Sequence, residues 1–227
     1  MDKATLKAII QWDIKTWGRA IPYWEAAVDW QGVESCLELG GREGGLSLWT
    51  ALKGKKTVCS DLEDVQLTAE KLHGGYQIGN LIRYEDIDAT RIPYENEFDI
   101  ILFKSIMGGI GRNGNIAQQQ AAFDQIYKAL KPGGSLLFAE NLTGSWLHRQ
   151  LRKLFVRWGG SWRYVSLGEM DAFLSKFSSY ELKTTGVVAA FGQGEAQRNL
   201  LASLDEAVFN TLCPSSMHYI CYGIATK

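Results

Sequence analysis

Strand-like runs alternate with helix-length segments over the first 140 residues, and this alternation constrains the fold more than any other feature of the sequence. Each run is apolar or mixed and ends in turn-forming or polar residues. Such alternation predicts a doubly wound, Rossmann-like α/β fold, with a mostly parallel sheet and helices on both faces. The predicted strands are 33–39, 56–60, 78–84, 98–103 and 135–140, and the predicted helices between them are 44–53, 64–73 and 116–130.

Further elements are predicted on both sides of this region. Apolar residues at helical spacing from Leu6 to Trp17 predict one amphipathic helix, followed after Pro22 by a second short helix. The final third departs from the alternation and completes a seven-stranded sheet whose terminal strand is antiparallel. Its predicted helices are 168–177 and 195–210, and its predicted strands are 180–190 and 217–226.

Length and charge narrow the classes of function. A chain of 227 residues fits one α/β domain. With 24 basic and 25 acidic residues and a net charge of -1, it has no overall field to attract nucleic acid, which is therefore an unfavoured partner. No transmembrane segment and no cleavage pattern follow the initial Met-Asp-Lys, so a cytoplasmic protein is expected. The four cysteines lack ligand-type spacing, and no metal site is expected.

The most informative stretch, 36–45, reads Cys-Leu-Glu-Leu-Gly-Gly-Arg-Glu-Gly-Gly, a buried strand that runs into a glycine turn and then a helix. Glycines there let a ligand approach the backbone and expose amide groups at a helix start. Arg42 stands where a dinucleotide motif has its second glycine. Glu38 would repel phosphates and attract a cationic amino group. The ligand predicted from these residues is a nucleoside without phosphates.

Two further acids follow predicted strands. Asp61 ends the second strand, where a carboxylate can accept hydrogen bonds from ribose hydroxyls. Asp88 lies in the stretch that leads into the fourth strand, and it would accept a hydrogen bond from the exocyclic amine of adenine. Each acid alone is explained equally well as a solvated residue at a strand end, but the three acids and the glycine turn in register favour a cofactor site.

Four stretches in this order resemble the motif set of class I S-adenosylmethionine-dependent methyltransferases. The resemblance covers about residues 33–140 and comprises E-L-G-G-R-E-G-G, T-V-C-S-D-L, D-A-T-R-I-P-Y-E-N-E-F-D-I-I-L-F and A-L-K-P-G-G-S-L-L-F-A-E. It implies a cofactor, S-adenosylmethionine, with S-adenosylhomocysteine as product. It also implies one methyltransferase domain, 1–227, in which 1–31 form a helical cover and 142–179 a substrate-side segment.

The resemblance assigns roles to individual residues. The methionine portion of the cofactor is expected beside Gly40, Gly41 and Gly44. Asp61 is expected to bind the ribose and Leu62 to lie on the base, while Asp88 and Ala89 meet the adenine. Arg42 departs from the glycine usual in this class and would pair with the cofactor carboxylate or with a nearby acid.

Methyl transfer needs chiefly alignment of acceptor and donor, together with exclusion of water. Lys104 and Ser105 end the fourth strand and are expected to face the pocket as part of the cofactor site. The motif [DNS]-P-P-[YFW] of the DNA-methylating members is absent from this position, so a DNA base is an unfavoured acceptor. His148 is the candidate general base by its residue type. The alternative for His148 is an exposed histidine on a basic helix.

Two aromatic regions remain open in interpretation. Trp12, Trp17, Trp24 and Trp30 precede the first strand and would either shield the cofactor or pack in the core. Aromatic and cationic residues interleave over 149–163, where they would contact an anionic substrate or form a solvated helix.

The function predicted from the sequence is methyl transfer to a small-molecule or glycan-like acceptor, at oxygen in preference to nitrogen. A non-catalytic protein that binds S-adenosylmethionine is the first alternative, and a nicotinamide-dependent oxidoreductase is the second. The two terminal strands form either the reversed hairpin usual in the class or a homodimer contact.

Overall fold

The computed structural model describes residues 1–155 and 161–227. Within these ranges seven strands form a single sheet with the order β3-β2-β1-β4-β5-β7-β6. Strands β1 to β5 are parallel, and β7 runs antiparallel to both of its neighbours. The bounds are β1 (Ser35–Leu39), β2 (Lys56–Asp61), β3 (Ile82–Asp86), β4 (Phe98–Lys104), β5 (Leu130–Asn141), β6 (Ser179–Thr185) and β7 (Ile220–Thr226).

Helices cover both faces of this sheet, which confirms the predicted doubly wound fold. They are α1 (Lys3–Ile10), α2 (Ile14–Trp17), α3 (Ala20–Ala27), α4 (Gly45–Leu52), α5 (Val65–His73), α6 (Met107–Ile110), α7 (Ile116–Ala129), α8 (Trp146–Phe155), α9 (Leu167–Leu174), α10 (Glu195–Leu204) and α11 (Asn210–Leu212). A π-helical turn, Asp205–Phe209, joins the last two.

Alternation along the strands divides the core between the two faces of the sheet. In β1, Leu37 and Leu39 face one hydrophobic cluster, which includes buried residues of α7 and α9. Cys36 faces the opposite cluster, to which α1, α3 and α4 contribute. Because successive strand residues point to opposite faces, one short apolar strand supplies both layers.

The N-terminal region differs from the prediction. The predicted single helix over Leu6 to Trp17 is interrupted, because Gln11 and Asp13 adopt φ values of 72° and 46°. These left-handed conformations end the hydrogen-bond ladder of α1 and begin α2. The next helix starts before Pro22 and not after it, and the proline lies in the first turn of α3, where its missing N–H is tolerated.

Four strand predictions differ from the observed bounds by three residues or more at one end. The fifth strand begins at Leu130, five residues earlier than predicted, and the seventh begins at Ile220, three residues later. The third strand begins at Ile82, four residues later than predicted, while Ile78 is buried in the loop before it. The sixth strand ends at Thr185, because Gly186 turns left-handed with φ 80°. The backbone amides of Val188 and Ala189 then bind the Asp205 carboxylate instead of a neighbouring strand.

The order of the last strands bears on the first of the two alternatives for the C-terminus, the reversed hairpin. Strand β7 lies between β5 and β6, in antiparallel register with both. The terminal strands therefore form the reversed hairpin within one chain.

The strand order reverses direction between β1 and β4, because β2 and β3 lie on one side of β1 whereas β4 and β5 lie on the other. Such a switch point is where α/β sheets bind ligands.

Candidate active site

Three predicted site residues meet at the carboxyl edge of the sheet, next to the switch point. Glu38 lies near the end of β1, while Asp61 and Lys104 are the last residues of β2 and β4. Strand β1 lies between the other two strands. Residues from three separate motifs are thus neighbours in space.

The Glu38 carboxylate is buried and holds the start of α4. Its two oxygens accept hydrogen bonds from the backbone amides of Leu46, at 3.1 Å, and Ser47, at 2.7 Å. These amides belong to the first helical turn and lack partners inside the helix, and an anion stabilises that end. Burial raises the pKa of Glu38 to about 7, against the opposing effect of these hydrogen bonds. Glu38 therefore fixes the helix start, in addition to any attraction for an amino group.

The glycine turn after β1 has a backbone geometry that favours glycine. Gly40 and Gly44 adopt left-handed conformations, with φ values of 64° and 71°. A Cβ atom at Gly40 would overlap the side chain of Ile106, so only glycine fits there. The amide of Gly41 donates to the carbonyl of Ser60 at 2.8 Å and ties the turn to β2.

His73 supports the same turn from α5. Its Nε2 donates to the Gly44 carbonyl at 2.8 Å, so its Nδ1 accepts from the Tyr84 hydroxyl at 2.9 Å. Burial lowers the pKa of His73, which agrees with a neutral ring in this arrangement. His73 is one of the positioning residues for which the sequence gave no functional signal.

Arg42 stands where this class usually has glycine, and its backbone adopts a conformation that favours glycine. It adopts φ 50°, and its amide donates to one carboxylate oxygen of Asp61 at 2.8 Å. The other oxygen of Asp61 accepts from the Leu62 amide at 2.7 Å. A carboxylate has about four acceptor sites, so the predicted ribose contact of Asp61 stays compatible with these bonds. The side chains of Arg42 and Leu62 are exposed beside the turn.

The predicted adenine-contacting residues lie next to this carboxylate. The Ile87 amide donates to the Asp61 carbonyl at 2.7 Å. Asp88 is exposed, and its Oδ1 accepts from the amide and the hydroxyl of Thr90. Ala89 is half-buried against the core. The adenine contacts of Asp88 and Ala89 stay predictions.

The ammonium group of Lys104 is buried at the end of β4. Among the described residues it has no hydrogen-bond partner. Its Nζ lies 2.9 Å from the ring centroid of Trp12 and 5.2 Å from that of Trp17. Burial lowers the pKa of Lys104 well below its ordinary value, while the carboxylates of Glu38 and Glu140 act in the opposite direction.

Glu140 fixes the turn after β4 and was not predicted as a site residue. It is fully buried, and its Oε2 accepts from the amides of Ile106, at 2.8 Å, and Met107, at 2.9 Å. Ser105 adopts φ 59°, and its hydroxyl accepts from the side-chain amide nitrogen of Asn141 at 2.6 Å. Glu140 could have been found by the signal that identified Glu38, an acid that follows a run of buried strand residues.

The end of the first helix lies against the start of α4, beside the glycine turn. A Cβ atom at Gly45 would overlap the carbonyl oxygen of Ile9, so the end of α1 contacts the start of α4 directly. The buried Asp13 carboxylate accepts from the Tyr219 hydroxyl at 2.6 Å. Glu195 accepts from the amides of Asp13 and Ile14 and anchors this segment to α10.

A cleft of about 560 Å³ opens at the same edge of the sheet. It is formed by residues that follow β5, follow β6 and precede β7, and these strand ends share one edge because β7 is antiparallel. Its described lining contains no acid and a single arginine. The lining residues are Gly144, Ser145, Trp146, Leu147, His148, Arg149, Val187, Val188, Phe191, Ser216 and Met217.

His148 lies in the wall of this cleft, but its contacts argue against the predicted role of general base. Its Nε2 donates to the Val187 carbonyl at 2.7 Å. Its Nδ1 accepts from Ser145, whose amide is 3.1 Å and whose hydroxyl is 2.7 Å away. Burial lowers the pKa of His148 to about 4. The histidine is buried and not exposed, and no ring nitrogen is left to accept a proton from an acceptor.

The aromatic and basic segment 149–163 is divided between structural and exposed residues. Arg152 donates to the Leu142 carbonyl at 2.7 Å and lies over the Tyr164 ring at 3.9 Å. Arg163 forms an ion pair with Glu169. Arg149 and Lys153 are exposed on α8. Arg157 and Trp158, which belong to the same prediction, lie outside the described residues.

Residues 37–138 match a family model described as "Methyltransferase domain". Two curated relatives, the ubiquinone/menaquinone biosynthesis C-methyltransferases UbiE of Citrobacter koseri and Escherichia fergusonii, are each 31% identical over 122 residues. That match covers 50% of this chain and 46% of each relative. The chain therefore spans about half the length of the curated relatives it matches.

Solved structures share the fold over nearly the whole chain. Phosphoethanolamine N-methyltransferase 2 of Haemonchus contortus, in complex with phosphomonomethylethanolamine and S-adenosylhomocysteine, is similar with a TM-score of 0.65 and 17% identity. The similarity covers 93% of this chain and 52% of that one. A SAM-dependent methyltransferase of Methanosarcina mazei gives a TM-score of 0.62 at 13% identity, over 91% and 97% of the two chains.

Two further properties of the described residues bear on the site. None of their helices is long and apolar enough to cross a membrane. None of their histidine, cysteine, aspartate and glutamate side chains form a group of three or more that could hold a metal ion.

Proposed function

We propose that this chain, in which residues 37–138 match a methyltransferase domain, is a class I S-adenosylmethionine-dependent methyltransferase that transfers a methyl group to an oxygen atom of a small-molecule acceptor. S-adenosylmethionine is the methyl donor of this class. The observation that carries the proposal is the sheet edge at which the glycine turn, Glu38, Asp61 and Lys104 come together. Each of these features is chemically complementary to a different part of that cofactor.

The residues present fit the cofactor's chemistry. The left-handed Gly40 and Gly44 leave the turn without side chains that would obstruct a ligand. Asp61 retains acceptor capacity for ribose hydroxyls. The ammonium of Lys104, which has no hydrogen-bond partner among the described residues, and the acid Glu38 lie at neighbouring strand ends and can carry opposite charges. An amino-acid group, which carries one charge of each sign, is matched by that pair.

The cofactor supplies an activated methyl group on a sulfonium. The residues of the chain fix the geometry of the site and exclude water from it. Glu38 and Glu140 each bind two backbone amides of a turn and so hold the ends of β1 and β4 in place. Trp12 and Trp17 cover the end of β4 and exclude water from it. Fixed geometry and a dry site are the main requirements of an in-line methyl displacement.

The cleft beside α8 supports a small acceptor with an apolar body. Its rim carries Trp146, Leu147, Phe191 and Met217, and Arg149 is the one charged residue of its described lining. A wall without acids disfavours a basic protein as substrate, since nothing there would stabilise a lysine or arginine. A neutral or anionic small molecule suits this lining better, and a glycan-like acceptor is the alternative to be compared with it.

Transfer to carbon is the second candidate, because the two curated relatives described above are named C-methyltransferases. A hydroxyl acceptor requires removal of a proton from oxygen, whereas a carbon acceptor loses its proton from the methylated carbon. Isotope-resolved mass spectrometry of the product after treatment with hydriodic acid distinguishes the two. An O-methyl group is released as iodomethane, whereas a methyl group on carbon is retained.

The first test is calorimetric titration of the purified protein with S-adenosylmethionine and S-adenosylhomocysteine. Asp61→Asn should weaken binding tenfold or more, about 1.4 kcal/mol, because it removes the carboxylate from the turn. Asp64→Asn is the matched control, an exposed acid whose side chain does not cap the helix that follows it. Equal binding by both variants, or none by the wild type, would contradict the cofactor site.

Turnover is then measured as release of S-adenosylhomocysteine over panels of phenols, fatty acyl compounds and oligosaccharides. Turnover of phenols or acyl compounds supports the proposal. Turnover of oligosaccharides alone favours the glycan-like alternative. Cofactor binding without release over every panel would favour a non-catalytic binding protein.

A further inference from the structure

The outer face of α8 carries apolar and cationic side chains that the fold leaves exposed. Trp146 is 65% exposed and Leu147 is 46% exposed. Arg149 and Lys153 are also exposed, and they follow Trp146 by three and seven residues, so the three lie on one side of the helix. Among the described residues, neither cation forms an ion pair. Both cations are therefore available to a partner outside the chain.

The opposite side of α8 holds the helix to the rest of the fold. The Nε2 of His148 donates to the Val187 carbonyl at 2.7 Å. Arg152 donates to the carbonyls of Leu142, at 2.7 Å, and Thr143, at 3.1 Å. These bonds position the helix without help from its exposed side chains. The composition of the outer face is therefore not explained by the packing of α8.

The exposed apolar residues of α8 continue into the rim of the cleft. Trp146 and Leu147 line the cleft together with Phe191 and Met217, which belong to the segments that follow β6 and precede β7. Arg149 lies at the same rim, and the described lining contains no acid. A contiguous apolar surface bordered by polar residues marks a site of interaction, whereas single scattered apolar side chains do not.

We propose that the outer face of α8, with the adjoining rim of the cleft, docks on the surface of an anionic lipid bilayer. Trp146 and Leu147 lie among the lipid headgroups, where an aromatic ring with one polar edge is stabilised. Arg149 and Lys153 contact the lipid phosphates. Docking is independent of the proposed function, whereas a route from the bilayer into the cleft for an apolar acceptor rests on it.

The charges on this face favour a lipid surface over a second copy of the chain. A two-fold dimer formed through the face would bring two copies of Arg149 and Lys153 together, and like charges repel. An anionic bilayer presents the opposite charge over the whole face, and residues 146–155 include no acid that would oppose it. Each cation near such a surface strengthens binding about fivefold, which corresponds to about 1 kcal/mol.

The experiment is co-sedimentation of the purified protein with two kinds of vesicle, phosphatidylcholine alone and equal parts of phosphatidylcholine and phosphatidylglycerol. Wild type should bind the mixed vesicles about ten- to thirtyfold more tightly, and added salt should reduce that preference. Trp146→Ser should weaken binding to the mixed vesicles about tenfold, because it removes apolar surface from the headgroup region. Its control is Leu67→Ser, since Leu67 is an apolar side chain on α5 that is 78% exposed.

A double variant tests the cations. Arg149→Gln with Lys153→Gln should weaken binding to the mixed vesicles about ten- to thirtyfold and abolish the preference for phosphatidylglycerol. The matched control is Lys56→Gln with Lys71→Gln, which removes two exposed lysines from β2 and α5. Both control variants should change vesicle binding less than twofold.

Three results overturn the docking surface. One is the absence of wild-type binding to the mixed vesicles, and another is equal weakening by the α8 variants and their controls. The third is a dimer, detected by sedimentation velocity without vesicles, that Trp146→Ser dissociates, because it would assign the face to a second copy. Thermal unfolding verifies that the variants are folded. These measurements contain no cofactor or acceptor, so docking and methyl transfer can fail separately.

Discussion

Replacing Glu140 with glutamine should change how the stability of the protein depends on pH. Glu140 is fully buried, and its burial raises the pKa of the carboxyl group from 4.5 to about 7. The folded chain therefore binds a proton more tightly than the unfolded chain does. Its contribution to stability is fully present below pH 4.5 and is lost as the pH rises through 7.

The size of the effect follows from the pKa difference. A shift of about 2.5 units corresponds to about 3 kcal/mol, at about 1.4 kcal/mol per unit. Wild-type stability should thus fall by about 3 kcal/mol between pH 4.5 and pH 7 on account of this residue. Glu140→Gln should lack that component and retain the one from Glu38, whose pKa is also raised to about 7.

The assay is urea unfolding followed by tryptophan fluorescence at pH 5, 6 and 7.5. The difference in unfolding free energy between wild type and Glu140→Gln should change by about 2 kcal/mol between pH 5 and pH 7.5, with a slope that approaches about 1.4 kcal/mol per pH unit near pH 6 and falls above pH 7. Glu97→Gln is the control, because that carboxyl is exposed. A difference that does not vary with pH would refute the inference that burial holds a proton on Glu140.

Two further substitutions test the cover and the cleft. Gly45→Ala should destabilise the protein by about 1–3 kcal/mol in urea unfolding, because its methyl group would displace the Ile9 carbonyl, whereas Gly168→Ala has open space and should be neutral or stabilising by up to about 1 kcal/mol. His148→Gln should lower stability by about 2 kcal/mol through loss of the bond to Val187, yet leave the pH profile of turnover unchanged. Loss of the acidic limb of that profile would restore His148 as general base.

The positions of the strand ends could be predicted because they depend on local patterns. Glu38 and Asp61 follow buried runs, and parallel strands bring their carboxyl ends to one edge. The left-handed turn at Gly40 was predictable for the same reason, since glycine tolerates that conformation without other support. Hydrophobic periodicity therefore located the predicted cofactor site but gave no partner for any side chain.

Long-range contacts explain what sequence patterns did not show. The interruption of the first helix depends on Asp13, whose buried carboxylate binds Tyr219, 206 positions away. The roles of His148 and Glu140 depend on which backbone groups lie opposite them after folding. A residue type such as histidine suggests a base, but the acceptor and donor around its ring decide whether a nitrogen is free.

The sequence by itself determined a doubly wound sheet, its acidic and glycine-rich edge and the class of cofactor that this edge resembles. These follow from periods of two and 3.6 residues and from the conformational freedom of glycine, which are properties of short segments. Only the tertiary structure decided that Glu38 binds the start of α4, that His148 has both nitrogens engaged and that Lys104, beside Trp12, has no hydrogen-bond partner among the described residues. Burial and hydrogen bonding depend on residues distant in the chain, and packing alone brings those residues together.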